Sequence, residues 1–121
     1  MSKDLNRWVG IGRLGKDPEI KQLGSDKKVL NVNIAVNGFK DGDVAWVPVI
    51  FWDKLAEIVS KYCEKGSKIA VEGHLLSSSW EKEGEKRFSL SVVADSVQFL
   101  SKNNKIQTED EPMPESVEES Q

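Results

Sequence analysis

Apolar residues in this chain recur at every second position through several separate runs, and at helical spacing in only one. Side chains on a strand alternate between faces, so each alternating run presents one apolar stripe to a core. The clearest run is Lys28–Asn37: Leu30, Val32, Ile34 and Val36 share one face, and Val29, Asn31, Asn33 and Ala35 the other. Leu5–Leu14 is rich in β-branched and aromatic residues, and Gly10 and Gly12 mark a bend or a close backbone approach. Val44–Trp52 is a third run, and Ser67–Leu76 a fourth, with Ile69, Val71, Gly73 and Leu75 in phase. In Arg87–Leu100, Phe88, Leu90, Val92 and Ala94 are in phase, but Val97 and Phe99 fall in the opposite register. That slip predicts a bulge or a change of partner. Turn residues separate the runs at Asp17-Pro18-Glu19, Gly24-Ser25-Asp26, Asn37–Asp43 and Gly84. Only Leu55, Ile58, Val59 and Tyr62 follow helical spacing. Asp53 is placed to cap that helix and Gly66 to end it. The order is three strands, a helix and two strands. The fold class is therefore all-β, with one helix between the third and fourth strands.

Within the third run, Val47, Val49 and Phe51 form an ordinary core stripe. The opposite face carries Trp46, Pro48, Ile50 and Trp52. Two indoles on the wetter side of a small sheet leave two readings open. Both faces are buried, or the indoles are stacking platforms for nucleic-acid bases. Phe39 poses a similar choice on the polar loop before this strand, beside Lys40. It either folds back onto the core or contacts a ligand. Trp80 sits among serines and charges in Ser77–Lys86, with Gly84 as the turn. With no apolar neighbours there, a contact role is favoured for it.

Composition narrows the function classes. A chain of 121 residues supports one domain with a real core, here 1–103. Residues 104–121 hold six acids against one base, which leaves a body with 16 bases and 14 acids. The segment lacks large apolar side chains and is expected to be a disordered acidic tail. A weakly basic body with an acidic tail is compatible with nucleic-acid binding. One cysteine, Cys63, excludes an internal disulfide framework and fits a reducing compartment. No apolar run approaches the roughly 18 residues of a transmembrane helix, and Met1–Asn6 has no signal-peptide core. A cytoplasmic protein with no membrane partner is expected. No catalytic set is visible. His74 is the single histidine, and no Cys/His metal spacing accompanies it. Gly10-Ile-Gly-Arg-Leu-Gly15 lacks the spacing and following helix of a dinucleotide loop. No enzyme activity, metal or cofactor is expected.

The order of elements matches the OB-fold, a five-stranded barrel that binds oligonucleotides on its middle strands and long loops. Particular residues add a resemblance. Asn6-Arg7, Gly12-Arg13-Leu14, Asp17-Pro18-Glu19, Trp46…Val49…Trp52, Lys54-Leu55-Ala56-Glu57, Lys65-Gly66-Ser67, Val71-Glu72-Gly73 and Trp80 occur in an order and spacing that resembles the bacterial and mitochondrial single-stranded DNA-binding proteins. The resemblance covers roughly residues 6–100. It implies a homotetramer that binds and protects single-stranded DNA without sequence preference during replication, recombination and repair. It places base stacking on Trp46, Trp52, Trp80 and Phe39, and phosphate contacts on Lys21, Lys54, Lys65 and Arg87. Arg7 and Arg13 are weaker candidates. Two non-enzymatic alternatives stay open: a dimeric primosome-type accessory protein and an RNA-binding module.

The chain departs from the family pattern in two ways. Leu75–Ser79 carries no base where relatives often do, and Pro48 stands where a basic residue is frequent. The tail ends Glu118-Glu119-Ser120-Gln121, without the terminal aromatic that recruits replication and repair proteins in the family, which implies weak or altered recruitment. The first departure makes affinity depend more on stacking than on phosphate contacts. Plotting log affinity for oligo(dT) against log salt concentration should give a shallower slope than for a relative with a fully basic hairpin.

Overall fold

The computed structural model describes residues 3–100 together with the backbone of residues 116–118. Its elements are β1 (Trp8–Leu14), β2 (Ile20–Leu23), β3 (Lys27–Asn37), β4 (Val44–Trp52), α1 (Asp53–Tyr62), β5 (Lys68–Lys82), β6 (Glu85–Phe99) and β7 (Ser116–Glu118). The strands form one sheet in the order β1-β5-β6-β4-β3-β2, and β1 also pairs with β3, which closes the barrel. The five long strands and the single helix lie in the expected order of the OB-fold.

The alternation in β3 and β4 works as the sequence predicts. Leu30 pairs with Phe51, Val32 with Val49 and Ile34 with Val47. These inward side chains, with Ile69, Val71, Val92 and Val97, build the core. The helix adds Leu55, Ala56, Val59 and Tyr62 to it. Phe51, Leu30, Ile34 and Leu55 are fully buried, and each such side chain contributes roughly 1.5–3 kcal/mol.

Helix α1 differs from expectation at both ends. Its N-cap is Trp52, and no side chain caps it. Asp53 has φ of 49°, a left-handed conformation that aspartate tolerates better than most residues. Its carboxylate turns away and accepts the backbone N–H of Lys28 at 3.0 Å, tying the helix start to β3. At the other end the helix stops at Tyr62, and Cys63 is already extended. Gly66 therefore does not end the helix. With φ of 91° it turns the next loop, where Ser67 N–H donates to the Glu64 carbonyl at 3.0 Å. That loop is fastened to the end of β1. Gly66 N–H donates to the Leu14 carbonyl at 2.9 Å, the Arg13 guanidinium donates to the Gly66 carbonyl at 2.9 Å, and Asp17 accepts Lys65 N–H at 2.8 Å.

The β5–β6 hairpin is longer than the apolar pattern implies. Its ladder continues to Lys82 and Glu85, beyond the barrel. Glu83 and Gly84 both have positive φ, 52° and 79°, the turn whose twist suits a two-residue hairpin. The register slip expected near Val97 is a bulge, where Glu72 pairs with Ser96 but Gly73 with Ala94. Strand β2 is short, exposed along its length, and folds back on β3. Residues 116–118 form β7 against Ser96–Gln98, although the sequence places them in a disordered tail. They occupy an edge of β6 beyond Val93, the last residue of β6 to pair with β4. The rest of that tail lies outside the described residues. Among the described residues no helix is long and apolar enough to cross a membrane.

The bulge depends on Gly73. A Cβ there would lie 2.1 Å from the Val93 carbonyl oxygen, and backbone in a paired strand cannot move aside cheaply. Gly73→Ala should lower the free energy of unfolding by about 2 kcal/mol, as overpacking does elsewhere, measured by urea denaturation.

Candidate nucleic-acid interface

The barrel's outer face follows from its inner one. Because Val49 and Phe51 are buried, Trp46, Pro48, Ile50 and Trp52 must project outward from β4. Trp46 is 59% exposed and Trp52 is half-buried.

Cross-strand register extends this face into rows. Trp52 pairs with Val29, and Val29 with Lys21, so one aromatic and one cation lie in a single row over β4, β3 and β2. Trp46 pairs with Ala35, and Ala35 with Arg13, over β4, β3 and β1. Between them Pro48 faces Asn33, and Ile50 faces Asn31. Proline lacks a ladder N–H. It is tolerated here because β4 pairs with β6 only through Val49 and Ile50, which leaves an open edge at Pro48.

Trp46 is held in place. A Cβ on Gly15 would lie 2.7 Å from Trp46 Cζ3, so the indole rests against bare backbone. Gly15 is itself fixed by its N–H, which donates to the Asn33 carbonyl at 2.9 Å. Sequence reasoning missed this support. No periodicity relates Gly15 to Trp46, and only the barrel brings them together.

The other named residues fall into two groups. Trp80 and Arg87 are direct cross-strand partners on the hairpin, with Trp80 48% exposed. Strand parity sets them on the same outward side as His74 and Leu76. Arg87 also pairs with Glu85 at 3.3 Å. Phe39 is fully exposed on the loop between β3 and β4, beyond the Trp46 end of the face, so it does not fold back onto the core. Lys54 is exposed in the first turn of α1, two residues after Trp52. Lys65 is exposed in the loop fastened to β1, and no cross-strand pairing links it to the tryptophan face. Of the weaker candidates, Arg7 pairs with Glu72 and Arg13 is committed to the Gly66 carbonyl. Trp8 folds over Gly10 and packs against the core.

The sequence model of the Single-strand binding protein family matches residues 5–100. The chain belongs to that family. Among relatives, it is 36% identical to Single-stranded DNA-binding protein 1 of Chlorobaculum tepidum in an alignment of 109 positions that covers 83% of this chain and 67% of that protein. It is 38% identical to Single-stranded DNA-binding protein 1 of Xylella fastidiosa in an alignment of 114 positions that covers 84% of each chain. The Single-stranded DNA-binding protein of Staphylococcus aureus is 36% identical in a gapped alignment of 123 positions that covers 95% of this chain and 78% of that one.

In this member of the family the described residues hold no cluster of three or more His, Cys, Asp or Glu suited to a metal ion. His74 Nδ1 lies 3.0 Å from Asp95 Oδ2, a strand-to-strand pair with no nucleophile in it. Cys63 is buried. The outer face offers flat aromatic surfaces, cations and amides. The family is one of DNA-binding proteins without enzymatic activity.

Gly15→Ala should tilt the Trp46 indole off its seat. We expect a shifted Trp46 emission maximum, read as the difference from a Trp46→Phe background, with overall stability reduced by no more than about 2 kcal/mol.

Proposed function

We infer that this protein binds and protects single-stranded DNA during replication, recombination and repair, by stacking bases on Trp46, Trp52 and Trp80, with Phe39 extending the path. Lys21, Lys54, Lys65 and Arg87 neutralise the phosphates along it. The observation that carries this reading is the outer β4 face, where two indoles project from one strand and Trp52 lies in register with Lys21. Every base has an aromatic face, so such platforms accept any sequence. Cations release counterions from the phosphates and supply the salt-dependent part of the affinity.

The same reading includes a homotetramer. Val9 and Ile11 are exposed on β1, and β1 pairs with β3 only at Arg13 and Leu14, so its edge is open over the preceding residues. Leu75, Phe88 and Leu90 form a second exposed apolar group on the overhanging hairpin. Open strand edges and contiguous apolar patches are surfaces that second copies cover.

The protein carries its own probe for the test. Titration with oligo(dT) should quench tryptophan fluorescence, and the species in solution should have tetramer mass. Trp46→Ala, Trp52→Ala and Trp80→Ala should each weaken binding by roughly 1–3 kcal/mol. A dimer with weak quenching would favour the accessory-protein reading, and tighter binding of oligo(U) the RNA module.

A further inference from the structure

Asn6 belongs to neither the platforms nor the cations, yet it makes two bonds to one residue far along the chain. Its Nδ2 donates to the Leu75 carbonyl at 2.9 Å, and its Oδ1 accepts the Leu75 backbone N–H at 2.8 Å. A side-chain amide offers the same kinds of donor and acceptor as a peptide group. The ladder of β1 on β5 ends at Trp8 and Gly73. Continued two residues, its register sets Asn6 opposite Leu75. The side chain therefore fills the ladder position that the backbone of β1 no longer reaches. Arg7, the next residue, pairs with Glu72 of the same strand. The segment before β1 is thus held to β5 at two consecutive residues.

The place of this contact matters more than its strength. Leu75 pairs with Val92, and Val92 with Val49, so Asn6, β5, β6 and β4 meet in one row. Val92 is the residue nearest the hairpin turn at which β6 still pairs with β4. Beyond that row, Leu76–Lys82 and Glu85–Ser91 pair only with each other among the described residues. A two-stranded ribbon on its own is marginally stable in water, so its angle to the barrel is set at its base. Asn6 is the outermost fastening of that base on the β5 edge. About 17 Å of strand, at roughly 3.3 Å per residue, separates Leu75 from Trp80, so a tilt of about 10° at the base displaces the indole by about 3 Å. Such a displacement is comparable to the rise between neighbouring bases.

We propose that Asn6 is a positioning residue for Trp80. Its amide fixes the angle at which the β5–β6 hairpin leaves the barrel, and so the place where the Trp80 indole meets a DNA strand, without touching the DNA itself. The proposal rests on the single-stranded DNA-binding reading above and deepens it. The two kinds of platform are then held by different means. Trp46 and Trp52 stand on a strand of the closed barrel, whereas Trp80 stands on an overhang and depends on a side chain of the segment before β1.

The test is a set of double-mutant cycles on the full-length protein, with affinity for fluorescein-labelled oligo(dT) read by anisotropy. Asn6→Ala should weaken binding about fivefold, the size of one net hydrogen bond. In a Trp46→Ala background it should again cost about fivefold, and in a Trp80→Ala background less than about twofold, because a positioning residue loses its effect once the group it positions is gone. A loss of the same size in all three backgrounds, or no loss in any, overturns the proposal. Amide hydrogen exchange without DNA gives a second readout. The Ser77–Lys82 amides should exchange faster in Asn6→Ala, while those of Ile69–Val71 keep their wild-type rates. Unchanged exchange along Ser77–Lys82 also overturns it. Asn6 is exposed, so its truncation opens no cavity. Should Asn6→Ala nonetheless fold poorly, Asn6→Asp keeps the acceptor for the Leu75 N–H and loses the donor, and it must shift both readouts in the same direction. If the wild-type protein does not bind oligo(dT), the DNA-binding reading fails, and the exchange rates alone decide whether Asn6 fastens the hairpin.

Discussion

Burial of Val49 and Phe51 is the constraint on which the rest of the molecule turns. A strand has two faces, and successive side chains cannot share one. Once Phe51 is fully enclosed beside Leu30, the two indoles of β4 have nowhere to go but out. The outward aim of the indoles is a by-product of the core: the same ladder that excludes water beneath them holds Trp46 and Trp52 at fixed spacing above. Both indoles stand on a paired strand, so no loop has to be ordered to present them.

Departures from a perfect barrel are where the surface acquires features of its own. The bulge opposite Gly73 lets β6 change phase, so that Val97 points inward after Val92 and Ala94 have done so. Strand β4 touches β6 at only two residue pairs, which makes room for Pro48. The β5–β6 ladder outruns the core and carries Trp80 and Arg87 away from the barrel as a pair. In the first two cases a local loss of regular pairing, and in the third a ladder longer than the barrel, places a side chain where an ideal closed sheet would not.

The strands could be read because period-2 alternation is a direct imprint of one-sided burial, and the helix because its spacing changes to 3.6. Strand β2 left no imprint: all four of its residues are exposed, so it has hydrogen bonds but no apolar stripe. The outer hairpin's turn at Gly84 was legible, but the length of its ladder was not, since Ser77–Lys82 is polar apart from Trp80. Asp53 misled because a capping residue and a residue that grips a neighbouring strand have the same short carboxylate. Only the position of Lys28 decides between them.

Taken alone, the sequence determined the order of the five long strands and the helix, the identity of the core stripe, and the placing of Trp46 and Trp52 on the face opposite that stripe. All three follow from local alternation. It also marked Trp80 as an aromatic without a core to join, and left Phe39 between the core and a contact role. What it left undetermined is which outward residues become neighbours. Asn31 and Asn33 looked like the ordinary wet side of β3 until register set them beside Ile50 and Pro48. Gly15 looked like a loop glycine until the barrel closed and set it under Trp46. Adjacency across strands depends on register and closure, which are properties of the whole sheet, and so the tertiary structure alone decided it.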